Sequence, residues 1–162
     1  MTVDETLNRL LVRLFKELTD IEGNVLTKDE FQDITMNDMH IIEAIGVEEP
    51  KKMSQIAKLM SITTGTLTKA MDALDRKGYV SRARDTVDKR VVKVSLTGKG
   101  KSAFYHHESF HLQMIEHIKD GLSDTELKVL CKSLANMMDY FQKIYNPVNE
   151  EAQFEPWANV ME

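Results

Sequence analysis

Thr63, Thr64, Gly65, Thr66, Thr68 and Lys69 gather short polar side chains into one seven-residue stretch. Threonine hydroxyls donate or accept hydrogen bonds at base edges, and their methyls can touch thymine methyls. A glycine among them lets a backbone come close to a duplex. Further on, Arg82, Arg84, Lys89 and Arg90 surround Asp85 and Asp88. Arginines on a projecting loop suit a minor groove, whose negative potential attracts guanidinium. Asp88, two residues before Arg90, is expected to hold that guanidinium by paired hydrogen bonds. Taken alone, the threonines also suit an ordinary helix start, and Asp88 with Arg90 a surface ion pair worth about 0–1 kcal/mol. Charge segregation turns the reading toward DNA. Residues 51–101 carry thirteen Lys and Arg against four Asp and Glu, while the rest carries eight against twenty-two. An acidic chain that concentrates its cations in this way presents a surface for a polyanion.

Periodicity supplies the elements that must position these residues. Leu7, Leu10, Leu11, Leu14 and Phe15 share one face of a first helix, expected from Asp4 to Glu22. A polar connection follows from Asn24 to Phe31. A second helix runs from Thr35 to Gly46, with Met36, Met39, Ile42 and Ile45 inward. Thr35 with Asp38 forms a capping box there, and Gly46 a stop. Ser54 is expected to cap a short third helix and to sit at the DNA surface. Ser61 to Thr63 is a tight turn, and Thr64 to Lys77 the recognition helix of a helix-turn-helix. Tyr79–Arg84 and Val91–Leu96 alternate as two strands, and 85–89 between them is a charged wing. Thr97 opens a long helix to Asp120, and Ser123 with Glu126 caps a last one to Tyr145.

The expected organisation is therefore mainly α with a small β wing. A dimerisation helix and connection occupy 1–34, a winged helix-turn-helix 35–100, dimerisation helices 101–145, and an acidic flexible tail 146–162. In that tail, Phe154 and Trp157 are candidates for docking. The outer helices carry apolar stripes that so small a core cannot cover. A second copy would cover them, and a two-fold dimer matches a palindromic operator.

His107 and His111 stand at i, i+4 on the fifth helix, a spacing that suits two imidazoles on one zinc ion. His40 can approach them from the second helix, with Glu108 or His106 to complete a tetrahedral set. The reading adopted is metal-free: His40, His107 and His111 line an effector cleft with Leu14, Met39, Ile42 and Phe110. Zinc is the alternative.

With 42% hydrophobic residues, the 162-residue chain can build a core without staples. It contains no glycine-rich phosphate loop and no nucleophile motif, so an enzyme is not expected. Cys131 cannot form an intramolecular disulfide, which suits a reducing cytoplasm. Its apolar neighbours Leu127, Val129, Leu130 and Leu134 predict an inert core or interface thiol. No signal peptide is expected, and no apolar run approaches the roughly 20 residues of a membrane span. An adaptor using the same fold for protein contacts is a further alternative, though it would not need the basic segment.

The stretch GTLTKAMDALDRKGYVSRARDTVDKRVVKVSLTGKG resembles the core of the MarR family of dimeric winged-helix regulators. The shared features are Lys77-Gly78 after the recognition helix, the D-x-R wing at Asp88 to Arg90, and LT-x-x-G from Leu96-Thr97 to Gly100. The resemblance spans Asp33 to Tyr145. It implies a triangular dimer with terminal helices at the interface and a wing arginine in the minor groove. ITMNDMHIIEAIG and FHLQMIEHIKDGLSDTEL further resemble the repressors of bacterial type II fatty-acid synthesis (the FabT type). That implies a corepressor, a long acyl chain on acyl carrier protein. His40, His107 and His111 are also similar to zinc-ligand positions in zinc-sensing relatives.

Overall fold

The computed structural model describes residues 1–26 and 29–145, so the expected tail with Phe154 and Trp157 lies outside the described residues. Helix α1 spans Val3–Leu26, and a 3-10 turn covers Asp29–Phe31. Then come α2 (Met36–Ile45), β1 (Lys51–Lys52), α3 (Met53–Leu59), α4 (Thr64–Arg76), β2 (Val80–Arg84), β3 (Val92–Leu96), α5 (Gly98–Asp120) and α6 (Asp124–Tyr145). The fold is the mainly α winged helix expected. The chain forms two compact units, Met1–Phe110 and another beginning at His111, with the division inside α5.

Helix α2 begins as its capping box dictates. Thr35 Oγ1 accepts the Asp38 N–H at 3.1 Å, and Asp38 Oδ2 accepts the Thr35 N–H at 3.0 Å. The helix stops where Gly46 takes φ 71°, in the left-handed region that glycine enters without a Cβ penalty. The helix-turn-helix is α3, Met60 to Thr63 and α4. Ser61 takes φ 53° in this turn, and the Ile62 N–H closes back on the Ala57 carbonyl at 3.0 Å. Met39, Ile41, Ile42, Ile45, Ile56, Leu67, Met71, Leu74, Tyr79 and Val94 are fully buried together and form the core under this motif.

Several expectations are corrected. The segment 24–31 is not simply a polar connection: α1 runs through to Leu26, and Phe31 joins the core with Ile34. The sheet has three strands in the order β1-β3-β2, not two, with Lys51 opposite Val94 and Lys52 opposite Lys93. Two residues are too short a run to show alternation in sequence. Ser54 does not cap α3, because the helix already begins at Met53. The Lys52 N–H is taken instead by Gln55 Oε1 at 2.9 Å. Cys131 is exposed, so it is not a core residue of the single chain. At α6 the expected box holds, with Glu126 Oε2 accepting the Ser123 N–H at 2.8 Å. Among the described residues, no helix is long and apolar enough to cross a membrane.

The LT-x-x-G motif has a steric cause. Thr97 Oγ1 donates to the Gly78 carbonyl at 2.6 Å and accepts the Gly100 N–H at 3.2 Å, fastening the start of α5 to the end of β3 and to the α4–β2 turn. Gly100 then lies so close to Tyr79 that a Cβ there would stand 2.0 Å from the Tyr79 carbonyl oxygen. Backbone cannot yield as a flexible side chain can. Gly100→Ala should therefore destabilise by about 3 kcal/mol, the upper range for overpacking. Urea unfolding at fixed protein concentration measures this, and a loss within 0.5 kcal/mol, about that of a neutral surface change, would reject the contact.

Candidate nucleic-acid interface

Helix α4 offers its N-terminal face outward. Thr63, Thr64, Gly65, Thr66, Thr68 and Lys69 are all exposed, while Leu67, Met71 and Leu74 on the opposite face are buried. Thr63 is the cap: its Oγ1 accepts the Thr66 N–H at 3.2 Å and lies 3.0 Å from the Thr66 hydroxyl. Thr68 Oγ1 donates to the Thr64 carbonyl at 2.8 Å. Three of the four hydroxyls are thus partly engaged within the helix. Thr64 and Lys69 are exposed beside them. Ser54 is exposed in the first turn of α3.

The wing is folded by Asp85. Its Oδ1 accepts the N–H groups of Val87 at 2.8 Å and Asp88 at 3.1 Å, and its Oδ2 pairs with Lys93 at 2.5 Å. The Lys93 ammonium and those two N–H groups hold the Asp85 carboxyl well below the usual carboxylate range. Asp88 departs from expectation: its Oδ1 accepts the Arg90 backbone N–H at 3.0 Å, and no ion pair among the described residues joins it to the guanidinium. It shapes the loop that carries Arg90 and does not aim the side chain. Arg82 also departs. It reaches back to Asp72 at 2.7 Å and Asp75 at 2.9 Å on α4, which raise its pKa through these bonds.

These contacts sort the basic segment into two sets. Lys51 donates to the Ile45 carbonyl at 2.6 Å, Lys77 pairs with Asp38, Arg82 with Asp72 and Asp75, Lys93 with Asp85, and Lys99 with Asp33. The other eight cations are Lys52, Lys58, Lys69, Arg76, Arg84, Lys89, Arg90 and Lys101. All eight are exposed, and none has an ion-pair partner among the described residues. The inward set holds the domain together, and the outward set is left for a polyanion.

The histidines separate. The donor atoms of His40, Glu43 and His107 all lie within 4.8 Å of one another, and His107 Nε2 is 3.3 Å from Glu43 Oε1. His107 is fully buried and His40 exposed. The third member is therefore Glu43, not His111, which lies one turn further along α5. The pattern H-x-x-E at 40–43 was open to view in the sequence, since i, i+3 residues share a helix face. The His106 ring lies 5.4 Å from that of Phe31, tilted by 49°, and His106, with Glu108, stays out of the group. The proposed cleft lining is also corrected. Met39 and Ile42 are spent in the core, because α2 is buried through Ile41 as well, while Leu14 stands exposed on α1. Phe110 is half-buried, its ring 6.4 Å from that of His107.

Residues 34–92 match the model of the MarR family. Streptococcus pneumoniae FabT, solved in complex with DNA, superposes with a TM-score of 0.79 at 36% identity, covering 86% of this chain and 98% of that one. The transcriptional regulator SarZ of Staphylococcus saprophyticus is 37% identical over 102 residues, 60% of this chain and 68% of its own. Staphylococcus aureus MepR, solved with DNA, shares the fold at a TM-score of 0.63 and 22% identity. With the helix-turn-helix, the three-stranded wing and these likenesses together, the chain belongs to the MarR family of winged-helix transcriptional regulators.

Proposed function

We propose that this chain represses fatty-acid-synthesis genes by binding palindromic operators as a homodimer, with a long-chain acyl-acyl carrier protein as corepressor. The observation that carries this reading is the 36% identity with pneumococcal FabT across nearly that whole chain. Helix α4 enters a major groove with Thr64, Thr66 and Lys69, and the wing sets Arg90 toward the flanking minor groove. Dimerisation is supported by apolar side chains left outside the core. Leu7, Leu10, Leu14 and Phe15 on α1, and Val129, Leu134, Met138 and Phe141 on α6, are all exposed in the single chain. An isolated soluble chain seldom leaves such faces open.

Phosphate contacts release counterions, so affinity falls with salt. If half of the eight outward cations on each of two protomers meet phosphate, log K against log salt has a slope of about −7. A near-flat response in a fluorescence titration would instead favour a protein-binding adaptor. Arg90→Ala should cost about 1–3 kcal/mol on the duplex that in vitro selection enriches. An unchanged affinity there would remove the wing from the interface.

An acyl chain gains about 0.8 kcal/mol per buried methylene, so ten give on the order of 8 kcal/mol before ordering costs. That exceeds the few kcal/mol separating two dimer states. With Met39 and Ile42 spent in the core, Leu14 and Phe110 remain available to line its path. One observation favours a second reading, a zinc-responsive repressor: His40, Glu43 and His107 offer two imidazoles and a carboxylate in one place. The 3.3 Å between His107 and Glu43 is about the spacing of two ligands on one tetrahedral zinc with bonds near 2 Å. Zinc would tie α2 to α5 there and leave a fourth position open. Titrating the selected duplex with long- and short-chain acyl carrier protein, and with zinc or chelator, separates the two. The acyl reading expects tighter binding with the long chain, less with the short and none from the chelator. Loss of binding with chelator and no acyl effect would replace it with the zinc reading.

A further inference from the structure

We propose that Arg82 is a positioning residue that sets operator selectivity by locking the wing to the recognition helix, and that it does not neutralise phosphate. Its guanidinium is forked between two carboxylates one helical turn apart. Nη1 meets Asp72 Oδ1 at 2.7 Å, and Nε and Nη2 share Asp75 Oδ2 at 3.0 and 2.9 Å. Both aspartates lie toward the C-terminal end of α4, away from the Thr63–Lys69 face that would read bases. Arg82 sits in mid-β2, opposite Val94 of β3, and Arg84 follows two residues later on the same strand face. The fork therefore joins the helix that reads the major groove to the strand that carries the wing.

Isolated surface ion pairs contribute little, but a forked guanidinium on two carboxylates is the geometry that does fix orientation. The Arg82 side chain is 30% exposed, less than Asp72 at 52% or Asp75 at 39%. Turned toward DNA, this arginine would bring two carboxylates with it, so the cluster as a whole repels phosphate. Its use is geometric. A specific duplex needs helix and wing in fixed register at once, whereas unspecific binding tolerates a loose wing because it draws only on summed charge.

The inference rests on the DNA-docking reading, and one experiment distinguishes their failures. Duplexes are first enriched by wild-type protein from a random pool. The best duplex and a scrambled duplex of equal composition are then titrated across a salt series. Arg82→Gln should weaken the selected duplex at least tenfold, leave the scrambled one within twofold, and leave the salt slope unchanged. Arg84→Gln should weaken both and make the slope shallower by about one. The paired change Asp72→Asn with Asp75→Asn provides a test of sign. It makes the face more positive by two charges, yet should weaken the selected duplex as Arg82→Gln does. Thermal unfolding at equal protein concentration checks that each variant is folded. If Arg82→Gln weakens both duplexes alike with a shallower slope, or leaves both unchanged, or if the double aspartate change tightens both, the positioning role is overturned. If wild type enriches no duplex, the DNA-docking reading itself fails.

Discussion

The backbone of Gly100 lies against the carbonyl of Tyr79, and the arrangement of the DNA-facing unit depends on that approach. Tyr79 follows the turn that ends α4, and Gly100 belongs to the first turn of α5. Where they meet, helix start, strand end and recognition-helix end share one place. The Thr97 N–H closes on the Tyr79 carbonyl at 3.0 Å, and the Tyr79 N–H closes on Leu74 at 2.9 Å. The Tyr79 ring is buried, and its hydroxyl donates to Asp33 at 2.5 Å. Burial and that carboxylate raise the tyrosine's pKa well above its usual range, so it stays a neutral donor. Lys99 lies 4.1 Å over the same ring and pairs with Asp33 at 3.0 Å. A side chain at position 100 would push these apart together.

The basic segment performs two tasks with one kind of residue. Cations near the core are taken by carboxylates and carbonyls, which fix where α2, α4, the wing and α5 lie. Those beyond the reach of any carboxylate stay outward. A charge already paired gives little to a phosphate, because its field is cancelled locally and re-pairing must break existing bonds. The sequence total of +9 over 51–101 therefore does not count phosphate contacts. Both sets matter for recognition, since phosphate contacts position a protein while base contacts specify. The paired set fixes the frame in which the unpaired set acts.

Boundaries marked by local capping were legible, with Thr35 and Asp38, Gly46, Thr97, and Ser123 with Glu126 where the sequence placed them, whereas α1 runs past the expected Glu22 to Leu26 and Ser54 does not cap α3. The recognition face was legible too, since periodicity put Leu67, Met71 and Leu74 opposite the threonines. What stayed hidden depends on distant partners. Strand β1 exists because β3 offers Lys51 and Lys52 an edge, and Phe31 is buried because His106 and Tyr79 cover it. The double pairing of Arg82 likewise needs the strand laid beside the helix before it exists. Asp88 was read correctly as part of the wing and incorrectly in its contact, because a carboxylate two residues before an arginine reaches the backbone N–H as easily as the side chain.

Placement also limits how any effector can act. A ligand shifts DNA affinity only by binding two arrangements of the protein unequally. Helix α2 is buried through Met39, Ile41, Ile42 and Ile45, so it cannot move without disturbing the core beneath α4. Its accessible side carries His40 and Glu43, facing His107 of α5. The first turn of α2 is bound to the C-terminal cap of α4 through Asp38 and Lys77, at 3.4 Å. A force on α2 is thus delivered to the base of the recognition helix through packed side chains and one ion pair. An effector whose two arrangements differ at α2 would therefore act on the recognition helix through that packing and that ion pair.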